Sequence, residues 1–324
     1  LEEWMSLGED IKGALESLSE RFNKGNEDEI KKFFYFTLKY ATEKALESHS
    51  PYCESLDYRY IDEYSKLIIV FLKIVSTNRS VFLEHVCEAI QLIINKFHES
   101  DVREFNQRPF CKLILNLIYD VSRTSYGFDT STILTMYTVF THLLDKLQPL
   151  SYPGFSFAWL ELVSNKYFMP AILEKEGFSD LYHELLIDLL KFAQVKLTPE
   201  ALNTEECHRT YYKGILRVVT MLLHDFPDFL SEFSLSLCNQ TADRFVQFRN
   251  IILSAFPKSL KFPEPQNLAP DSSELDKIEN SNRLPKFYQL KFDKTYDILA
   301  AIRSEEKFQQ LKLRLESTCR LIAE

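Results

Sequence analysis

Tyr64-Ser65-Lys66-Leu67-Ile68-Ile69-Val70-Phe71-Leu72-Lys73-Ile74-Val75 decides the fold. Its apolar members Tyr64, Leu67, Ile68, Phe71, Leu72 and Val75 fall at i, i+3, i+4, i+7, i+8 and i+11. On an α-helix that spacing gathers them into one stripe, which must be buried against another element. Phe110, Leu113, Ile114, Leu117, Ile118 and Val121 repeat the template. Ile133, Met136, Tyr137, Phe140, Leu144 and Leu147 come close to it, as do Phe178, Leu181, Tyr182, Leu185, Leu189 and Phe192. No stretch fits two-residue alternation better, so the expected class is all-α.

Working outward, the same period predicts helices at 1–22, 27–48, 57–75, 78–98, 106–121, 129–147, 153–165, 178–195, 206–224, 228–237, 243–255, 294–302 and 305–321. Pro153 and Pro227 stand where a first helical turn begins, a place that tolerates a missing N–H. Gly127 and Gly177 precede helices and suit turns. Taken in pairs, the helices starting near 27, 78, 129, 178 and 228 recur roughly every 50 residues, slightly longer than HEAT and armadillo units. One amphipathic pair cannot cover its own apolar face, and stacking pairs supplies the cover. The expectation is a HEAT-like solenoid of helical hairpins over 1–256. Pro257, Pro263, Pro265 and Pro270 interrupt it, because each removes a donor and restricts its predecessor. Residues 257–274 therefore read as an extended connector, and 275–324 as further helices of a truncated domain. The opening at Leu1, inside a helical pattern, suggests a piece of a longer protein.

Composition excludes several classes. The 324 residues hold 7 Gly, where average usage of about 7% would give roughly 23. Phosphate-cradling loops and many-stranded folds need more than that. With 26 Phe and 16 Tyr, a large core is available. A net charge of −9 is opposite to the footprint of a duplex nucleic-acid binder. The local exception runs from Arg244 through Arg249 and Lys258 to Lys261, the basis of an alternative reading as an RNA-binding repeat. Cys53, Cys87, Cys111, Cys207, Cys238 and Cys319 are too scattered for a CxxC zinc or redox pair. Several lie in apolar helical runs and behave as small hydrophobes, which favours a reducing compartment. No signal peptide and no apolar run near 18 residues is evident. The expected location is cytoplasmic, with the nucleus second, and the sequons at Asn78 and Asn239 are chance matches.

One region resembles a known family. The carrying segments are Pro149-Leu150-Ser151-Tyr152-Pro153-Gly154-Phe155-Ser156-Phe157-Ala158-Trp159-Leu160-Glu161-Leu162, Leu185–Lys191, Tyr212–Val218, Leu222–Leu230 and Arg249–Pro257. Together they resemble the C-terminal homology domain of Not-one, the scaffold subunit of the Ccr–Not mRNA deadenylase complex, over roughly residues 147–263. The resemblance implies a HEAT-repeat scaffold without catalytic activity, serving mRNA decay, translational repression and transcription regulation. It implies that the domain anchors extended segments of the Not-two and Not-three/five subunits and, in fungi, of the Not-four ubiquitin ligase. The chain departs from the family at Phe262-Pro263-Glu264-Pro265-Gln266, where a Pro-Asp-Pro-Phe run is usual.

Candidate chemistry is weak everywhere. Gly154-Phe155-Ser156-Phe157-Ala158 resembles a nucleophile elbow, but that motif needs a strand before its serine, and Pro153 opens a helix. His183-Glu184 begins like a zincin HExxH, yet Ile187 holds the second histidine's position. Cys207-His208, after Glu205 and Glu206, offers metal-capable groups, but neighbours on a helix point in different directions. His224-Asp225 suits a helix end and the start of the next helix. Glu27-Asp28-Glu29 suits a helix start. No catalytic, cofactor-binding or metal-binding residue is expected. What remains is surface chemistry. Tyr152, Phe155, Trp159, Phe168, Phe226, Phe229, Phe256 and Phe262 exceed what one stripe per helix needs. The ordinary reading puts most of them in the core; the functional one has some line grooves for an extended partner, since aromatics are enriched at such centres.

Overall fold

The computed structural model describes residues 27–47, 57–74, 79–100, 105–123, 127–175 and 177–256. Among these, twelve α-helices and one short 3₁₀ turn follow one another without a strand. They are α1 Glu27–Glu47, α2 Arg59–Ile74, α3 Arg79–Ser100, α4 Arg108–Ser122, α5 Thr130–Lys146, α6 Ser156–Val163, α7 Phe168–Leu173, α8 Ser179–Lys196, α9 Pro199–Thr204, α10 Glu206–Asp225, α11 Pro227–Gln240 and α12 Val246–Leu253. The helices predicted at 1–22, 294–302 and 305–321 and the connector at 257–274 lie outside the described residues.

Two rows result. In one, α1, α3, α5, α8 and α11 each pack on the next; in the other, α2, α4, α6, α10 and α12 do the same. Five hairpins thus begin at Glu27, Arg79, Thr130, Ser179 and Pro227, the expected register of about 50 residues. The fold is an all-α helical repeat solenoid with one continuous apolar core running between the rows.

Local signals explain where the helices start. Asp129 accepts a bond from the Thr132 N–H at 3.2 Å, relieving one of the donors that a first turn leaves unpaired. Its carboxyl is held well below the usual range by the hydroxyls of Ser131 and Thr132 and by that N–H. Gly127 and Gly177 take φ of 72° and 88°, the left-handed turn that glycine adopts without strain. The cap of α6 comes from elsewhere: Gln107, just before α4, accepts the Ala158 N–H at 2.8 Å.

Buried aromatics tie helices together within and between hairpins, and their polar ends find backbone carbonyls. Tyr64 on α2 donates to Phe34 O at 3.4 Å, and Tyr137 on α5 to Ile118 O at 3.5 Å. Trp159 Nε1 on α6 donates to Leu144 O at 2.7 Å, and Tyr182 on α8 to Val163 O at 3.1 Å. A buried hydroxyl or indole N–H without a partner would be costly, so each bond fixes which carbonyl its ring sits beneath. Gly214 lets α10 approach α6: a Cβ there would lie 2.7 Å from Leu160 Cδ2.

Two elements depart from expectation. The predicted helix at 153–165 is a 3₁₀ turn, Pro153–Phe155, followed by α6. The six-residue helices α7 and α9 were not foreseen, being too short to show a period.

Candidate functional site

The eight aromatics proposed as partner contacts separate by position. Phe155, Trp159 and Phe168 have no exposed surface and Phe229 retains 6%. Trp159 is fixed beneath Leu144, Phe168 stands edge-on to Tyr137, and Phe229 edge-on to Tyr182. These four rings are core; a partner could reach them only by opening the stack, and the groove-lining expectation is corrected for them. Tyr152 and Phe226 are half-buried, and Phe256 is exposed. Phe262 lies outside the described residues.

Tyr152 sits in the cleft between α3 and the 3₁₀ turn. Its ring is edge-on to His98, with centroids 5.5 Å apart, and its hydroxyl donates to Asn95 Oδ1 at 3.4 Å. Phe105 stacks on Phe110 below, so close to Gly154 that a Cβ there would lie 2.9 Å from it. Phe226 occupies the corner between α10 and α11. Beyond that corner, Val246, Leu253 and Phe256 put three large apolar side chains on the outside of the last described hairpin. Sequence reasoning did not single out Val246 or Leu253, although their seven-residue spacing was a usable signal.

Most of the residues weighed for chemistry are taken up by packing or by surface pairs. Ser156 is buried in the first turn of α6, not lifted on an elbow. His183 is buried, stacked 4.4 Å from Phe233, with Nε2 2.9 Å from Ser236 Oγ. Burial lowers its pKa, and the Asp180 charge opposes that only in part. His224 bonds to the adjacent Asp225 at 2.6 Å in the last turn of α10. Glu27 pairs with Lys31, which also reaches Glu88 on α3. Cys87, Cys111 and Cys238 are buried, and burial raises each thiol above its usual range, Cys111 to about 12. A thiol held protonated is a poor nucleophile.

One expectation about side-chain direction fails. Glu205 precedes α10 in extended backbone, φ −115° and ψ 122°, so its carboxylate swings back over the first turn. Its Oε2 lies 2.9 Å from His208 Nδ1 and 3.5 Å from Cys207 Sγ, and those two atoms are 3.5 Å apart. The divergence expected of neighbours does not hold for Cys207 and His208 in the first turn of α10, and the extended backbone of Glu205 brings a third group to them.

The basic stretch is also committed within the chain as far as it is described. Arg244 donates to Gln194 O and covers the Phe245 ring, and Arg249 pairs with Asp243. Lys258 and Lys261 lie outside the described residues.

Comparison with known proteins follows the same segments. The family model described as "CCR4-Not complex component, Not1" matches residues 119–318. The chain belongs to the Not1 family. Among curated proteins it is 28% identical over 273 residues to the "General negative regulator of transcription subunit 1" of Schizosaccharomyces pombe, matching 80% of this chain. The Not1-family chain spans only 13% of that relative's length. Among solved structures, the NOT1 superfamily homology domain from Chaetomium thermophilum superposes with a TM-score of 0.71 at 25% identity, over 83% of this chain and 54% of that one. A Not1 C-terminal domain in complex with Not4 gives 0.67 at 26%, over 82% and 55%. The matching part of Not1 is thus its C-terminal homology domain.

Proposed function

We propose that this Not1-family chain is a non-catalytic scaffold segment of a Ccr4–Not complex that holds extended segments of other subunits, Not4 among them. The observation that carries the reading is the likeness to a Not1 C-terminal domain solved with Not4, extending over four-fifths of the chain. Ser156 and His183 are packed into the core, and His224 and Glu27 are held in surface pairs, which is in keeping with a scaffold. Half-buried Tyr152 and Phe226 and the exposed face of Val246, Leu253 and Phe256 are the contacts a flexible partner would use. Apolar anchors there offset the cost of ordering it. The Not-two and Not-three/five subunits are proposed as further partners, in the cytoplasm and the nucleus.

The test is direct mixing of the purified chain with the C-terminal region of Not4, and separately with the Not-two and Not-three/five segments, from the same organism. Stable co-elution with at least one, little weakened by moderate salt, is expected. Failure of all three to bind, with steeply salt-dependent binding to RNA instead, would replace the reading with the nucleic-acid one.

A further inference from the structure

We infer that Glu205, Cys207 and His208 form a three-ligand site for a thiophilic divalent cation of the zinc class. The argument is geometric. Zinc bonds of about 2.3 Å to sulfur and about 2.0–2.2 Å to nitrogen and oxygen put tetrahedral ligand atoms about 3.3–3.6 Å apart. The Sγ–Nδ1 and Sγ–Oε2 edges here are both 3.5 Å. The Nδ1–Oε2 edge, at 2.9 Å, is a hydrogen bond that has to open by a few tenths of an ångström. Three atoms of the donor types zinc prefers therefore already form one face of its coordination shell.

The surroundings are compatible. Cys207 and Glu205 are exposed and His208 partly so, leaving the fourth vertex to water or to a partner's side chain. Arg209, next along the chain, is turned away, its Nη1 donating to Leu202 O and Asn203 O at 3.1 Å at the end of α9. A bound ion would meet the positive end of α10, which opposes it. The carboxylate and thiolate supply two negative charges within bonding distance and outweigh that partial charge. Bound metal would tie Glu205, the residue joining α9 to α10, to the first turn of α10.

Cobalt(II) is the probe, because a thiolate bound to it gives a charge-transfer band that oxygen and nitrogen ligands alone do not. Titrating the intact chain should raise this band to one equivalent, and zinc should bleach it. Cys207→Ser should abolish the band at unchanged helicity, since the side chain is exposed. His208→Gln and Glu205→Gln should each weaken cobalt binding by at least about tenfold, the smallest loss seen even for groups that only support a ligand. No thiolate band in the unmodified chain, or its survival in Cys207→Ser, overturns the site.

Discussion

At the scale of the residue, burial and exposure separate two kinds of aromatic that sequence alone cannot tell apart. Trp159 is fully buried and bonded to Leu144 O, so Trp159→Ala should destabilise the fold by about 3–5 kcal/mol. Trp159→Phe keeps much of the ring and loses mainly the N–H bond, a cost nearer about 1 kcal/mol. Phe256→Ala should cost far less stability than Trp159→Ala and weaken partner binding. Chemical denaturation and a binding assay on the same three proteins check this; a large stability loss in Phe256→Ala would remove it from the docking surface. His183 adds a pH dependence. Burial favours its neutral form, so its folded pKa lies below the unfolded value of about 6.5. The unfolded chain then binds the extra proton first, and stability contributed by the neutral ring is complete above about pH 6.5 and declines as pH falls below it. Denaturation midpoints measured between pH 8 and pH 5 should fall less steeply in His183→Gln than in the parent.

At the scale of the element, the α6 cap is the most exposed to test. Its first turn holds no capping side chain of its own, and Gln107 supplies the acceptor from the start of α4. Gln107→Ala should cost about 1 kcal/mol in denaturant unfolding, the usual value of a lost cap. Gln107→Glu, which keeps the acceptor, should recover most of it. This cap was not legible, because donor and acceptor stand 51 positions apart and no local pattern links them. The five hairpins were legible, since each long helix carries its own apolar period. Phe168-Met169-Pro170-Ala171-Ile172-Leu173 was not, with a proline inside and too few turns to repeat anything. Thr198-Pro199 does mark the start of α9, through a capping threonine and a proline in the first turn. The aromatics failed differently. Periodicity says which residues share a face but not how many sides of an element the stack covers, and Phe155 and Phe168 are wholly buried.

At the scale of the molecule, the core is continuous but each hairpin touches mainly the next one along its row. A stack of that kind has a stability close to a sum of units and nearest-neighbour interfaces, so a lesion should be felt locally. Phe34, on α1, packs edge-on against Phe82 of the following hairpin with centroids 4.8 Å apart. Phe34→Ala should therefore speed amide hydrogen exchange across 27–100 and leave 179–240 as protected as before. Phe140 is fully buried on α5 of the third hairpin, a helix that packs on α3 on one side and on α8 on the other. Phe140→Ala should loosen peptides from 79–100 and from 179–196 together. Exchange followed by mass spectrometry reads both variants in one experiment. Uniform loosening of the whole chain by Phe34→Ala would mean that the rows unfold as one unit, and that a partner docked at Phe256 could be felt as far away as α1.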